Sequence, residues 1–327
     1  MQRRRLRINI KFDNCIFIHN YAINMHNYLA DSTFKKLTVS VVGARGYAGA
    51  ELCSLLVNHP FVELKYAFAT AAFHLNDESM DSRFSSVKCL PDSEILNHFT
   101  DCVFLATPAE VSLKLAPLLL QRKSKVIDLS GAFRLKKNEY AKWYHFTHSE
   151  TALLASADYG LQAFAGKPKS SLVANPGCYA SAIALAVIPL LKHKLIDPKN
   201  IVIDAKSGTS GAGKKAQENL LFSEVVGECL PYRVGKHQHL PEIQESIETF
   251  SGVQIDPHFS TSLLATSRGI IAAIYMKALT DDVGAIENAF AAEYRDYPLV
   301  RFSAKISQYA ALKKVVGTPY THISYEL

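Results

Sequence analysis

A cysteine stands in the stretch ANPGCYASA, Ala174 to Ala182, just after Asn-Pro-Gly and just before a run of small residues. A thiol there is either a small buried spacer, which is what most free cysteines are, or a nucleophile. If a helix opens at Gly177 or Cys178, the sulfur falls in its first turn, where unpaired amides and the helix dipole favour the thiolate. Gly177 would let a substrate approach closely, and Ala180, Ser181 and Ala182 leave space around the sulfur. A thiolate nucleophile needs an acid–base partner. The stretch GKHQHLPEI supplies His237 and His239, two positions apart and so on the same side of an extended segment. As a metal pair these two have no third ligand nearby, and no metal is expected. A second loop, SGTSGAGKK from Ser207 to Lys215, could hold an anion on its backbone amides, with Ser210 and Gly211 as candidate cofactor contacts. A plain flexible loop is the competing reading.

The stretch VVGARGYAGAEL places Gly43, Gly46 and Gly49 between an apolar β-branched run and a leucine-bearing helical pattern. Glycines at such a turn let the backbone approach a phosphate, and the helix start attracts its charge. A glycine triplet alone is a weak signal, but strand before and helix after make it a dinucleotide-binding candidate. Gly43, Arg45, Gly46, Tyr47 and Gly49 are the contacts this predicts. An NAD site usually carries an acid at the end of the second strand, to hold the ribose 2′-hydroxyl. Here that strand, VELKYAFA, runs out into Ala69, Thr70 and Ala71, with Glu63 at its wrong end. No carboxylate would repel a 2′-phosphate, so NADP is the expected cofactor, with Arg45, Thr70 or Arg83 to meet the phosphate.

The elements that must position these groups fall into two textures. From Leu37 to about Cys178, LTVSVVG, VELKYAFA, DCVFLATP and KVIDLSG read as strands, with helices YAGAELCSLLVNHP and EVSLKLAPLLLQRK between them. Strand and helix alternating in steps of this size imply right-handed crossovers and a doubly wound parallel sheet. After a helix from about Cys178 to Leu191, longer β-like runs (NIVIDAKSGTSGAG, QIDPHFSTSLLA, RGIIAAIYMKAL) and the helical DDVGAIENAFAAEYRDY suggest an α+β domain with a mixed sheet. The expected layout is a disordered leader over 1–36, an NADP-binding domain over 37–177, and a catalytic and substrate domain over 178–316.

Composition narrows the class of protein. Of the 327 residues 48% are apolar and 20% charged, which suits a soluble globular chain able to bury a core without staples. The net charge of +6 owes much to Arg3, Arg4, Arg5 and Arg7 in the leader, and the other basic residues are dispersed, so nucleic-acid binding is not expected. The leader's basic start resembles a signal n-region, but Lys11, Asp13, Asn14 and His19 break the apolar stretch, and no run reaches the length of a membrane span. An upstream start, with the protein proper beginning near Met25 or Leu37, is the favoured reading over an organellar transit peptide. The six cysteines (Cys15, Cys53, Cys89, Cys102, Cys178, Cys229) form no CxxC pair and are expected reduced, with Cys53, Cys89, Cys102 and Cys229 as small buried hydrophobes.

Taken in order, GARGYAGAEL, DLSGAFRL, YGLQ, NPGCY, SGTSGAGKKA, HQHLPEI, RGI and LVRF resemble the N-acetyl-γ-glutamyl-phosphate reductase family, from about Leu37 to the C-terminus. The resemblance implies an NADP-dependent reduction of N-acetyl-glutamyl 5-phosphate to N-acetyl-glutamate 5-semialdehyde, in a cytoplasmic homodimer or homotetramer of a small-molecule enzyme with no membrane or nucleic-acid partner. It places the nucleophile at Cys178, passing through a thioester that accepts hydride from NADPH, and the acid–base histidine in HQH, with His237 preferred to His239. Arg134 resembles a residue that binds the substrate's carboxylate or phosphate, for which a guanidinium fork is apt; Lys214 and Arg268 are further substrate candidates. Gln238 stands where the family pattern has Arg. The resemblance also implies that the α+β domain is a catalytic and dimerisation domain, and that a further strand and a Gly/Ala-rich helix lie beyond VVGTPYTHISYEL, so 317–327 are expected to be the start of a truncated C-terminal return segment. The alternatives are an aspartate-semialdehyde dehydrogenase-like acyl-phosphate reductase and a catalytically dead copy acting as a binding subunit.

Overall fold

The computed structural model describes residues 5–12, 35–71, 73–75, 82–304 and 311–327. The chain forms two compact units, one of Phe17–Pro176 and one of Gly177–Leu327 together with Met1–Ile16. The first described strand, β1 (Arg5–Phe12), therefore belongs to the second unit.

The first unit is built on β2 (Leu37–Val42), α1 (Tyr47–Val57), β3 (Val62–Ala69), β4 (Lys88–Pro91), β5 (Cys102–Leu105), α2 (Ala109–Gln121), β6 (Lys125–Asp128), β7 (Asp158–Tyr159) and β8 (Leu172–Ala174). Its strands lie in the order β4-β3-β2-β5-β6-β8-β7 and every pairing is parallel. Successive side chains on a strand point to opposite faces, and the sequence fills both. Val39, Val41, Phe104 and Ile127 join Leu52, Cys53 and Leu56 of α1 in one core cluster. Val42, Val103, Leu105 and Val126 join Ala109, Ala116 and Leu119 of α2 in the other. The sheet is thus covered on both faces, and the doubly wound expectation holds. Chain order reverses between β2 and β5, the point at which such sheets bind ligands beyond their carboxyl ends.

The second unit holds α3 (Cys178–Lys192), β9 (Ile196–Gly208), β10 (Cys229–Pro231), α4 (His239–Ser251), β11 (His258–Leu264), β12 (Ile270–Ala278), α5 (Val283–Tyr294), β13 (Val300–Ser303) and β14 (Thr321–Glu326). Its sheet runs β10-β11-β9-β12-β1-β14-β13, with β9–β11 and β13–β14 parallel and the other pairs antiparallel, a mixed sheet as expected. The helix α3, CYASAIALAVIPLLK, is apolar on every side and buried from Tyr179 to Leu191, which is the environment such a helix requires. It packs on β1, β9 and β12 and is flanked by α4 and α5.

Two expectations are corrected here. Residues 1–36 are not a disordered leader throughout, because Arg5–Phe12 is an interior strand. In RLRINI, Leu6, Ile8 and Ile10 are fully buried while Arg5 and Arg7 are exposed, the period-2 pattern of a half-buried strand. Two of the arginines that resemble a signal n-region, Arg5 and Arg7, lie on one face of that strand. The proposed start at Met25 and the thiol of Cys15 lie outside the described residues. Nor are residues 317–327 the beginning of a separate return segment: β14 pairs with β1 on one side and β13 on the other, inside the second unit.

Candidate active site

Cys178 is the first residue of α3, with Gly177 as N-cap, so the thiol sits in the first turn as its spacing predicts. Its N-cap is a glycine and has no side chain with which to cap the helix start. The N-cap amide is held differently: Gly177 N donates to Oε1 of Glu242 at 2.6 Å. Glu242 is fully buried and lies in the first turn of α4, three residues after His239 and so on the same helical face. A Cβ placed on Gly177 would stand 2.4 Å from His239 Nε2 and 2.8 Å from Glu242 Oε2. Glycine is required there by close approach, since its φ of −68° is open to any residue. The starts of α3 and α4 therefore meet at one point, with an imidazole nitrogen and a carboxylate oxygen against the residue preceding the thiol.

The two histidines do share a site, although their segment is not extended. Gln238 between them is helical (φ −61°, ψ −13°), and the turn into α4 stacks the rings edge to face, centroids 4.7 Å apart. His239 N donates to His237 Nδ1 at 3.1 Å, which satisfies a first-turn amide of α4. A ring nitrogen that accepts must be bare, so neutral His237 carries its proton on Nε2. That atom lies 3.3 Å from the Tyr232 hydroxyl, which in turn donates to Tyr179 OH at 3.2 Å. Burial pushes the basicity of His237 down to about 2, with the neighbouring His239 and Arg233 acting in the same direction and Glu242 against it. His237 is thus a neutral, doubly engaged ring that anchors the cluster. Burial also keeps both phenols protonated, Tyr232 up to about 12, and the sulfur of Cys178 adds to the effect on each. Glu242, Tyr232 and Tyr179 are members of the site that sequence reasoning passed over. The signal for Glu242 was available in HQHLPEI, as an acid one helical turn after a histidine.

The Gly/Ser-rich loop departs from expectation. The amides of Gly208, Thr209 and Ser210 donate to the carbonyls of Gly269, Thr266 and Ser267 at 2.9, 2.9 and 3.0 Å. Those amides are used within the fold and do not cradle an anion. A Cβ on Gly208 would lie 2.6 Å from the Arg268 amide, so its glycine serves this tight pairing, which also sets Arg268 beside the loop. Gly211 and Lys214 lie beyond the pinned part, both exposed. Among the other thiols, Cys53 is buried as expected, whereas Cys229 is exposed, against the expectation of a buried hydrophobe.

The first unit presents the glycine loop in the form a phosphate needs. Gly43 has φ +82°, and a Cβ there would stand 2.3 Å from the Ala106 carbonyl oxygen; one on Gly49 would stand 2.2 Å from the Gly43 oxygen. Gly46 is the N-cap of α1 and brings no capping side chain. Arg45, Tyr47 and Thr70 are exposed around this helix start and at the end of β3. These residues fit a dinucleotide phosphate, and β3 ends without an acid. Arg134 is engaged differently from its predicted part: Nε donates to the Asn175 carbonyl at 2.7 Å and Nη2 to that of Leu129 at 2.6 Å, tying together the chain beyond β6 and β8. Asp128, fully buried at the end of β6, accepts from Ser130 N at 3.0 Å and Ser130 Oγ at 2.8 Å. Burial raises its pKa.

Residues 38–197 match the family model described as semialdehyde dehydrogenase, NAD binding domain, and residues 178–327 that described as semialdehyde dehydrogenase, dimerisation domain. The N-acetyl-gamma-glutamyl-phosphate reductase of Lactococcus lactis is 39% identical, over 87% of this chain and 84% of its own. The chain belongs to the N-acetyl-gamma-glutamyl-phosphate reductase family. Among solved structures, a probable aspartate-semialdehyde dehydrogenase from Pseudomonas aeruginosa shares the fold at TM-score 0.62 and 18% identity, covering 89% of this chain and 88% of its own. An aspartate semialdehyde dehydrogenase with NADP from Candida albicans does so at TM-score 0.55 and 13% identity, covering 82% of each chain. In this member of the reductase family, β1 lies outside both matched ranges yet inside the sheet of the second unit. Among the described residues no helix is long and apolar enough to cross a membrane.

Proposed function

We propose that the protein reduces N-acetyl-glutamyl 5-phosphate to N-acetyl-glutamate 5-semialdehyde and phosphate, with NADPH as the reductant. The observation that carries this reading is the meeting of Cys178, Gly177, His239 and Glu242 at two helix starts, in a chain 39% identical to a reductase of that name. His239 takes the thiol proton, and the Cys178 sulfur attacks the acyl carbon. The carbon–oxygen bond to phosphate breaks, phosphate leaves, and a thioester remains on Cys178. The nicotinamide cofactor, when bound, supplies a hydride. His239 returns its proton to the carbonyl oxygen as the thioester becomes a thiohemiacetal, then accepts it again as the carbon–sulfur bond breaks and the aldehyde departs. His239 is favoured over His237 in this role because its Nε2 faces Gly177, while both nitrogens of His237 are engaged and its burial opposes protonation. NADP is favoured over NAD by the acid-free end of β3, in line with the NADP named for the Candida albicans structure. A homodimer or homotetramer is part of the same reading, supported by the dimerisation-domain match, and a cytoplasmic location goes with the biosynthetic role proposed.

The test is phosphate-dependent reduction of NADP with N-acetyl-glutamate semialdehyde as substrate. The intact chain is expected to turn over, and Cys178→Ala to lose about 10⁴-fold in kcat with an unchanged circular dichroism spectrum. Full turnover by the alanine variant would overturn the mechanism, and selective turnover of aspartate semialdehyde would overturn the substrate.

A further inference from the structure

Among the described residues, both strands that pair with β1 come from the far end of the chain. On one side Arg7, Ile8, Asn9 and Ile10 pair with Tyr275, Ile274, Ala273 and Ala272 of β12; on the other they pair with Glu326, Tyr325, Ser324 and Ile323 of β14. Leu6, Ile8 and Ile10 are fully buried, as are Ile274 and Ile323, with Tyr325 nearly so. On the opposite face the Arg7 guanidinium lies over the Tyr275 ring, 5.3 Å from its centroid. The helix that carries Cys178 at its start stands on β1 and β12. Without β1, two strands would expose a full row of backbone amides and carbonyls on facing edges, and α3 would lose part of its floor.

The register adds a second point. β14 ends at Glu326, paired with Arg7, and β1 begins at Arg5. The end of β14 and the start of β1 are therefore adjacent antiparallel ends, about 5 Å apart as such pairs are, a hairpin without a loop. A connection of two to five residues is the common way to close such a pair. Both described pairings of β1 lie within the second unit.

We propose that β1 is an insert strand whose place is fixed by the slot between β12 and β14 and not by its position at the head of the chain. The occupant of the slot is residues 5–12 of this chain, and they serve equally well when carried behind β14. It follows that residues 5–12 are a working part of the second unit, and that translation from Met25 yields a chain that cannot complete its sheet.

The experiment compares the full chain, a chain beginning at Met25, and a permuted chain beginning at Met25 with residues 5–24 attached behind Leu327 through Asn-Gly. Thermal unfolding and size-exclusion chromatography are the readouts, so the outcome does not depend on the proposed activity. The chain from Met25 is expected to aggregate or to lose its cooperative transition. The permuted chain is expected to recover a single transition and the elution volume of the full chain, and to lose both again on Ile8→Asp. Cooperative unfolding of the Met25 chain at the full chain's temperature would overturn the need for the strand. Failure of the permuted chain to recover would overturn its independence of position. Recovery that survives Ile8→Asp would show that residues 5–12 are not what fills the slot.

Discussion

Gly177→Ala isolates the meeting point of the two helices. The backbone there, φ −68° and ψ 153°, is open to alanine, so the substitution carries no strain of its own. At an N-cap, alanine in place of glycine costs a few tenths to about 1 kcal/mol, and the smaller freedom of the unfolded chain returns about 0.4–1 kcal/mol. These nearly cancel. What remains is the added methyl, which would stand 2.4 Å from His239 Nε2 and 2.8 Å from Glu242 Oε2. Ordinary contact starts near 3.5 Å, so the imidazole nitrogen must retreat about 1 Å and the carboxylate somewhat less. Both belong to a fully or nearly fully buried cluster, where overpacking costs about 1–3 kcal/mol. Unfolding should therefore come several degrees earlier, at about 2–4 °C per kcal/mol for a unit of this size.

The larger effect should fall on turnover. A displacement of about 1 Å in a reacting group costs on the order of 100-fold in rate. The assay is the NADP reduction described above, with kcat and KM measured separately and unfolding followed in parallel. The fall is expected in kcat, because the role proposed for His239 is at the reacting atoms and not in substrate binding. Gly252→Ala is the control. It ends α4 at φ +72° with no atom within 4 Å of its Cβ position, so it should lose about 1 kcal/mol of stability and keep its rate. Wild-type kcat in Gly177→Ala would refute the placement of His239 at the chemistry. An equal rate loss in both variants would show that only stability had been read.

Three further outcomes follow from the same geometry. His237 is buried neutral, its pKa down from 6.5 to about 2, so the unfolded chain binds a proton that the folded one does not. Stability from this group is fully present above pH 6.5 and is lost as pH falls toward 2, by up to about 1.4 kcal/mol per pH unit; His237→Gln should flatten that acid limb in melting curves taken between pH 4 and 7, and an unchanged slope would count against a neutral His237. Iodoacetamide on the native protein should modify Cys178 and Cys229 but spare Cys53 and Cys102, whose thiols burial pushes up to about 12; peptide mapping that finds Cys53 or Cys102 labelled as fast as Cys178 would contradict the assignment. Gly43→Ala combines φ +82° with a 2.3 Å approach to the Ala106 oxygen, so it should abolish dinucleotide binding in a fluorescence titration; retention of wild-type affinity would remove the loop from the cofactor site.

What could be read from the chain was local. The N-terminal start of α3 at Cys178 follows from a glycine and a following run of small residues, and the glycine loop follows from its flanking strand and helix. Each lies within a dozen residues, the range over which capping and turn geometry act. The pairing of His237 with His239 came out for a reason other than the one the spacing offers, since a helical turn at Gln238, not an extended segment, brings the rings together. Glu242 was missed because its partner, the Gly177 amide, is 65 residues away. The same holds for the Gly208–Ser210 amides, whose carbonyl partners at 266–269 turn an apparent anion cradle into a pinned loop.

The strand β1 is the extreme case. Its alternation of arginine or asparagine with leucine and isoleucine was visible in RLRINI, yet a strand has meaning only through its neighbours, and Asn9 meets Ser324 across a separation of 315 residues. Read from one end, four arginines near Met1 look like the start of an address. Read from the sheet, two of them are the exposed face of the strand on which the Cys178 helix rests. The chemistry-bearing residues are thus legible where a single turn or helix start poises them. The parts that hold them in place are distributed along the whole chain, and the need of the second unit for residues 5–12 is what the permuted chain puts most directly at risk.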